Sequence, residues 1–184
     1  MKQTIIIHGM PSKQEFYNPS SATPSNKQWL PWIQRQLALR DELSQTPEMP
    51  RAFDPIYKDW LEVFEQFELN EQTVLIGHSC GGGFLLRYLS QHPDLKVAKV
   101  FLIAPWLVDV KKELEADPTF HDYEIDVKLA KRFPVHVFIS SDDGRAMQVS
   151  FKTLKEKLPD AVYHEYTDKR HFCTKEFPEL LELL

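Results

Sequence analysis

The sequence predicts an α/β fold: a single domain over residues 1–184, built on a parallel sheet of about six strands with helices on both faces. Three observations carry this. The 184 residues are long for one small domain and short for two, and such a length closes one core without disulfides or metals. Short, nearly continuous apolar runs recur along the chain, the pattern of strands buried on both faces. Amphipathic segments separate the later runs, which argues for strands laid side by side in one direction.

Taken in order, residues 4–8 (Thr-Ile-Ile-Ile-His) form a β-branched run closed by Gly9, which reads as a buried strand. A polar, Pro-rich loop follows over 11–27. Residues 29–43 carry Trp29, Ile33 and Leu37 at helical spacing, and 44–49 form a brief extended piece ending at Pro50. Pro55 opens an amphipathic helix through Trp60, Leu61, Phe64 and Phe67, proline being at home in a first helical turn. Trp60, Phe64 and Phe84 read as plain core. Strands are expected at 73–77, 97–104, 134–141 and 161–166, with helices at 83–91, 148–158 and 175–184. Residues 105–133 are charged and irregular, and are expected to make a small excursion over a sheet edge.

Composition narrows the function. Hydrophobic residues make up 42% and charged residues 27%, the balance of a soluble globular chain rather than a disordered one. Lysine and arginine number 22 against 27 acidic residues, so the net charge is −5, which gives no electrostatic reason to bind nucleic acid or anionic membranes. Cys80 and Cys173 are too few for a disulfide scaffold or a structural zinc site. The apolar run at the N-terminus is too short for a signal peptide, and no window approaches a membrane span. These features together read as a cytoplasmic protein that needs no cofactor or metal.

The chemistry concentrates at Gly77-His78-Ser79-Cys80-Gly81, a G-x-S-x-G pattern between an expected strand and an expected helix. Such a turn lifts a serine hydroxyl above the sheet and aims the next backbone N–H, that of Cys80, at a developing oxyanion. Gly81-Gly82-Gly83 at the helix start costs about 1 kcal/mol per interior glycine relative to alanine. Close approach of helix to strand is what offsets it. A serine nucleophile needs a base and an orienting carboxylate. Ser141-Asp142-Asp143-Gly144 follows one strand and Asp168-Lys169-Arg170-His171 follows the last, and ligands of open parallel sheets bind at the carboxyl ends of strands. His171 is therefore the expected base. Periodicity leaves Asp142 and Asp143 open, since adjacent side chains diverge. His78 flanks the serine but points away from the base position, and His8 lies near the oxyanion region.

The chain resembles the small serine hydrolases typified by retinoblastoma-binding protein nine and its bacterial relatives. The residues that carry the likeness are Ile6-Ile7-His8-Gly9, Trp29-Leu30-Pro31-Trp32, Thr46-Pro47-Glu48-Met49-Pro50, Leu75-Ile76-Gly77-His78-Ser79, Ser141-Asp142-Asp143 and His171-Phe172 with Glu176-Phe177. The resemblance implies a minimal α/β-hydrolase fold without a large lid, with Ser79 as nucleophile, Asp143 as orienter and His171 as base. It also implies that the backbone N–H of Met10 is the second oxyanion donor. Gly144-Arg145-Ala146-Met147 departs from the apolar, Pro-containing stretch common in relatives, and Cys80 stands where Ser or Leu is common. The expected activity is hydrolysis of small-to-medium carboxylic esters, thioesters or amides, with a small-molecule acyl compound as partner. Trp106, Tyr17, Trp29 and Phe120 are candidate walls of the substrate pocket. A non-catalytic binding module on the same fold and an acyltransferase using the same triad are the rival readings.

Overall fold

A computed structural model describes residues 2–110 and 112–184. Its six strands are β1 (Gln3–Ile7), β2 (Leu43–Gln45), β3 (Thr73–His78), β4 (Lys99–Ile103), β5 (Val135–Ser140) and β6 (Val162–Tyr166). They pair in the order β2-β1-β3-β4-β5-β6, and every pairing is parallel. The central strands explain their own composition. Ile5, Ile6, Ile7, Leu75 and Ile76 are fully buried, because a strand covered on both faces has no solvent side to fill with polar residues. The edge strands β2 and β6 instead have no buried residue and turn some side chains to solvent.

Helices α1 (Lys13–Phe16), α2 (Leu30–Ala38), α3 (Tyr57–Phe64), α4 (Cys80–Gln91), α5 (Leu129–Arg132), α6 (Arg145–Lys157) and α7 (Pro178–Leu181) complete the chain, with a short 3-10 turn at Pro24–Asn26. Trp29, just before α2, packs edge-on to Phe177 at the start of α7, and Phe177 packs on Phe138 of β5. On the opposite face, Trp60 and Phe64 of α3 meet Phe84 of α4 at ring separations of 5.6 and 5.4 Å. All three are fully buried, as the sequence predicts.

Helix ends differ from the sequence pattern for local reasons. α2 stops at Ala38 rather than continuing to 43, because Asp41 takes a positive φ of 57° and the Glu42 N–H turns back to the Leu37 carbonyl. The closing helix shrinks to four residues because Pro178 starts it late. α4 begins at Cys80 rather than at 83, immediately after the serine.

The 105–133 segment does not lie over a sheet edge. It connects β4 to β5, adjacent interior strands, so its path crosses the helical layer. Phe120 packs against Trp60 and Tyr57, Arg87 of α4 donates to the carbonyls of Thr119 and Phe120, and Asp117 accepts the Tyr57 N–H.

The glycine run answers to backbone contact. A Cβ on Gly77 would lie 2.6 Å from the Gly81 carbonyl oxygen, and one on Gly81 would strike the carbonyl oxygens of Ile7 and His8. Both obstacles are backbone and cannot swing aside. Gly81→Ala is therefore expected to destabilise the fold by about 3 kcal/mol, the upper range for overpacking, read as a lowered urea midpoint with unchanged slope. An unchanged midpoint would show that α4 does not sit this tightly on β1.

Candidate active site

Because all six strands run the same way, the loops after β1, β3, β5 and β6 emerge at one edge of the sheet. Each carries a residue singled out in the sequence. Ser79 follows β3 with φ 54° and ψ −119°, a strained conformation for a non-glycine residue. The turn is held from several sides. Ser79 N–H donates to the Ile103 carbonyl at 2.8 Å, while the Ser79 carbonyl accepts from Gly82 and from Trp106 at 3.0 and 2.9 Å. Strain at this position is over-determined by its neighbours.

The carboxylates separate cleanly. Asp143 Oδ2 lies 2.9 Å from His171 Nδ1, with the Asp143 side chain 7% exposed and that of His171 31%. Asp142 turns the other way. Its Oδ1 accepts from Ser140 Oγ at 2.5 Å and from the Arg170 N–H at 2.8 Å, and the Ser140 hydroxyl, followed by the Arg170 amide, holds its carboxyl below the usual range. Ser140 Oγ also accepts the Lys169 N–H at 3.1 Å. Asp142 thus ties the loop carrying His171 to the end of β5. That loop needs the tie, since Arg170 and Phe172 both have positive φ, 47° and 54°.

Two further histidines brace the site. His78 Nε2 lies 2.9 Å from the His171 carbonyl oxygen, with the two rings 5.2 Å apart. Burial, then the neighbouring His171, pushes its pKa down to about 3, so it is neutral at pH 7 and donates to that carbonyl. His8 is fully buried. Its Nε2 accepts the Met49 N–H at 3.0 Å and its Nδ1 lies 2.9 Å from the Gly9 carbonyl oxygen, which it meets as donor. This fixes the chain direction just before Met10, and burial keeps the ring neutral.

Linkage gives these rings a measurable consequence. The unfolded chain has imidazoles near 6.5, whereas the folded state holds His78 at about 3 and His121 and His136 at about 4, in each case chiefly by burial. The unfolded state therefore binds more protons on acidification. Their contribution to stability is whole above pH 6.5 and is lost as pH falls toward 4 and then 3. Urea unfolding between pH 7.5 and 5 should lose up to about 1.4 kcal/mol per pH unit for each of His78 and His121, and less for His136, which solvent screens. A flat profile would contradict the buried neutral rings.

Ser79, His78 and His171 line one cleft of about 90 Å³ with Gly9, Met10, Pro11, Glu15, Pro24, Lys27 and Gln28. Among the described residues no hydrogen bond joins Ser79 Oγ to His171 Nε2; in unliganded sites such bonds are often long and tighten with substrate. Met10 borders the cleft and Cys80 opens α4. Burial, reinforced by Asp109, pushes the Cys80 thiol up, and burial also raises Cys173, so neither offers a thiolate to compete with Ser79. Both are free thiols. Cys173 accepts a hydrogen bond from Gln28 near the rim.

The four expected aromatic walls are elsewhere. Trp29 and Phe120 are fully buried in the two helical layers, and Tyr17 is 65% exposed against Phe16 and Phe53. Trp106 packs its indole on His121 and donates its ring N–H to the Val108 carbonyl; only its backbone reaches Ser79. Large apolar rings in the 105–133 segment are drawn to the aromatic faces of α3 and α4, which bury them more completely than an open cleft can. The actual lining, Glu15, Pro24, Lys27 and Gln28, comes from the polar loop after β1, which carries no periodic signal. Among the described residues, no group of three or more histidine, cysteine or acidic side chains is placed to hold a metal, and no helix is long and apolar enough to cross a membrane.

The family model for serine hydrolases matches residues 18–172. The chain belongs to the serine hydrolase family. Among curated relatives, YdeN of Bacillus subtilis is 28% identical over 183 residues, covering 95% of this chain and 88% of its own. Serine hydrolase RBBP9 of Rattus norvegicus is 26% identical over 166 residues, covering 85% and 84%. The solved structure of the ydeN gene product from B. subtilis superposes with a TM-score of 0.79 at 24% identity, over 100% of this chain and 96% of that one. Est1E from Butyrivibrio proteoclasticus, solved with ferulic acid bound, superposes at 0.68 with 13% identity, over 100% and 86%. This serine hydrolase accordingly has the α/β-hydrolase fold in a compact form.

Proposed function

We propose that this serine hydrolase cleaves small-to-medium carboxylic esters, with thioesters and amides as related substrates, by two-step acyl transfer through Ser79. The observation that carries the reading is the 2.9 Å bond between Asp143 Oδ2 and His171 Nδ1 on loops that open onto the Ser79 cleft. With Nδ1–H committed to Asp143, the lone pair of Nε2 is free to take the serine proton. Ser79 Oγ then attacks the carbonyl carbon, and the backbone N–H groups of Cys80 and Met10 receive the oxyanion. His171 returns the proton to the leaving oxygen as its bond to the acyl carbon breaks. His171 next takes a proton from water as the water oxygen attacks the acyl carbon, and returns it to Ser79 Oγ as the bond between Oγ and the acyl carbon breaks, which releases the acid and restores Ser79. Each oxyanion donor in such a site is worth about 10²–10³ in rate. Both donors here are backbone groups, so Cys80→Ala is expected to stay within about tenfold of the parent kcat, well short of the loss of one donor.

The decisive experiment is reaction with a fluorophosphonate probe and mapping of the adduct by mass. The expected result is an adduct on Ser79 that is absent in His171→Ala. Absence of an adduct at every serine, together with no turnover across a p-nitrophenyl ester series, would overturn the reading.

A further inference from the structure

A second cavity of about 470 Å³ adjoins the nucleophile cleft, and the two share Pro11, Glu15, Pro24 and Lys27 as common wall. We propose that the acyl arm of the substrate passes from Ser79 across this shared wall into the larger chamber, so that the enzyme selects bulky, aromatic or branched acyl groups with a neutral polar outer end. This rests on the serine-hydrolase reading above and says which side of the scissile bond carries the bulk.

The size argument comes first. The cleft at Ser79 holds about 90 Å³, below the 300–1,000 Å³ of sites that enclose drug-sized ligands, whereas the chamber falls inside that range. The cleft by itself accommodates the reacting carbonyl and little more. Orientation follows from the position of the base. His171 must reach the leaving atom to protonate it, and His171 lines the cleft but not the chamber. The leaving group therefore stays on the His171 side. The chamber meets the cleft at Pro11, which follows Met10 in the loop after β1, and its lining includes neither His78, Ser79 nor His171. The substituent directed there is the acyl arm.

The chemistry of the walls sets the preference. Phe16, the buried Met49, Pro11 and Pro24 supply apolar surface for a ring or a branched chain. The charged residues of the chamber are Lys27 and Arg51 against Glu15 and Glu48, two of each sign. Lys27 is paired with Glu15, Arg51 with Asp54, and Glu48 accepts from the Ser25 amide. No cation is left over to attract an acidic tail, so a hydroxyl, ether or amide suits the outer end better than a carboxylate.

The test compares p-nitrophenyl esters that differ only in the acyl arm: acetyl, butyryl, 3-(4-hydroxyphenyl)propanoyl and hemisuccinyl. The parent protein is expected to favour the hydroxyphenylpropanoyl ester over acetyl by at least tenfold in kcat/KM, with the hemisuccinate at or below butyryl. Ala22→Trp, at an exposed position of the chamber wall, should reduce that selectivity ratio at least tenfold. Pro19→Trp, at another exposed wall position, should do the same. A variant that only disturbs folding lowers both esters alike and leaves the ratio intact. A ratio near one in the parent, or a ratio unmoved in both folded variants, overturns the proposal. Fluorophosphonate labelling of the parent separates the two levels: a Ser79 adduct with no acyl preference refutes the chamber alone, while no adduct and no turnover refutes the hydrolytic reading beneath it.

Discussion

Ser79→Ala is expected to lower kcat for any turned-over ester by about 10⁶, the loss seen when a serine enzyme is deprived of its nucleophile. The fold should survive it. Alanine has a Cβ, as serine does, so it meets the same backbone strain at φ 54° and ψ −119°, and the backbone hydrogen bonds that hold the turn do not involve the side chain. Stability and activity should therefore separate: the urea midpoint stays close to that of the parent while burst and steady-state turnover both vanish. Glycine at the same position makes the complementary point. Ser79→Gly removes the hydroxyl and also relieves the strain, so it should be as inactive as Ser79→Ala yet more stable by about 1 kcal/mol, the lower bound for such strain. Retention of more than a hundredth of the parental kcat in Ser79→Ala would remove Ser79 from the mechanism.

Legibility in the sequence followed the range of the interactions involved. The strands were readable because burial on both faces forces continuous apolar runs such as Ile5-Ile6-Ile7, a signal that needs no knowledge of the partner strand. The turn at Ser79 was readable because backbone contact between α4 and β1 admits only glycine at Gly81, which leaves its mark on the sequence. Helix ends were less so: the stop of α2 at Ala38 depends on the conformation of Asp41, a residue type equally at home inside a helix or in a turn. The substrate walls were illegible for a different reason. Aromatic residues serve cores and pockets alike, and only packing decides. Trp29 and Phe120 went to the core, while the cleft took Lys27, Glu15 and Gln28 from a loop whose composition looks like any solvated connection. Asp142 and Asp143 could not be ranked from sequence geometry because their roles diverge only once the His171 loop is folded over them.

That divergence sets up the second large effect. Asp143→Asn is expected to lower kcat by about 10⁴, since an amide keeps the geometry but presents a donor to Nδ1 and so favours the wrong imidazole tautomer. The adjacent substitution should behave oppositely. Asp142 Oδ1 acts only as an acceptor, from Ser140 Oγ and the Arg170 N–H, and the carbonyl oxygen of asparagine supplies both contacts. Asp142→Asn should therefore stay within about tenfold of the parent, the loss of charge weakening each bond without abolishing it. Asp142→Ala removes both contacts and frees the positive-φ residues Arg170 and Phe172 that flank the base. Its kcat should fall by about 10²-fold, the cost of a misplaced catalytic group, with KM little changed. The informative comparison is rescue: asparagine restores function at 142 and fails at 143, although it is nearly isosteric with aspartate at both. If Asp142→Asn is as damaging as Asp143→Asn, then charge at 142 matters in its own right, and the division of labour between orienting the imidazole and anchoring its loop is wrong.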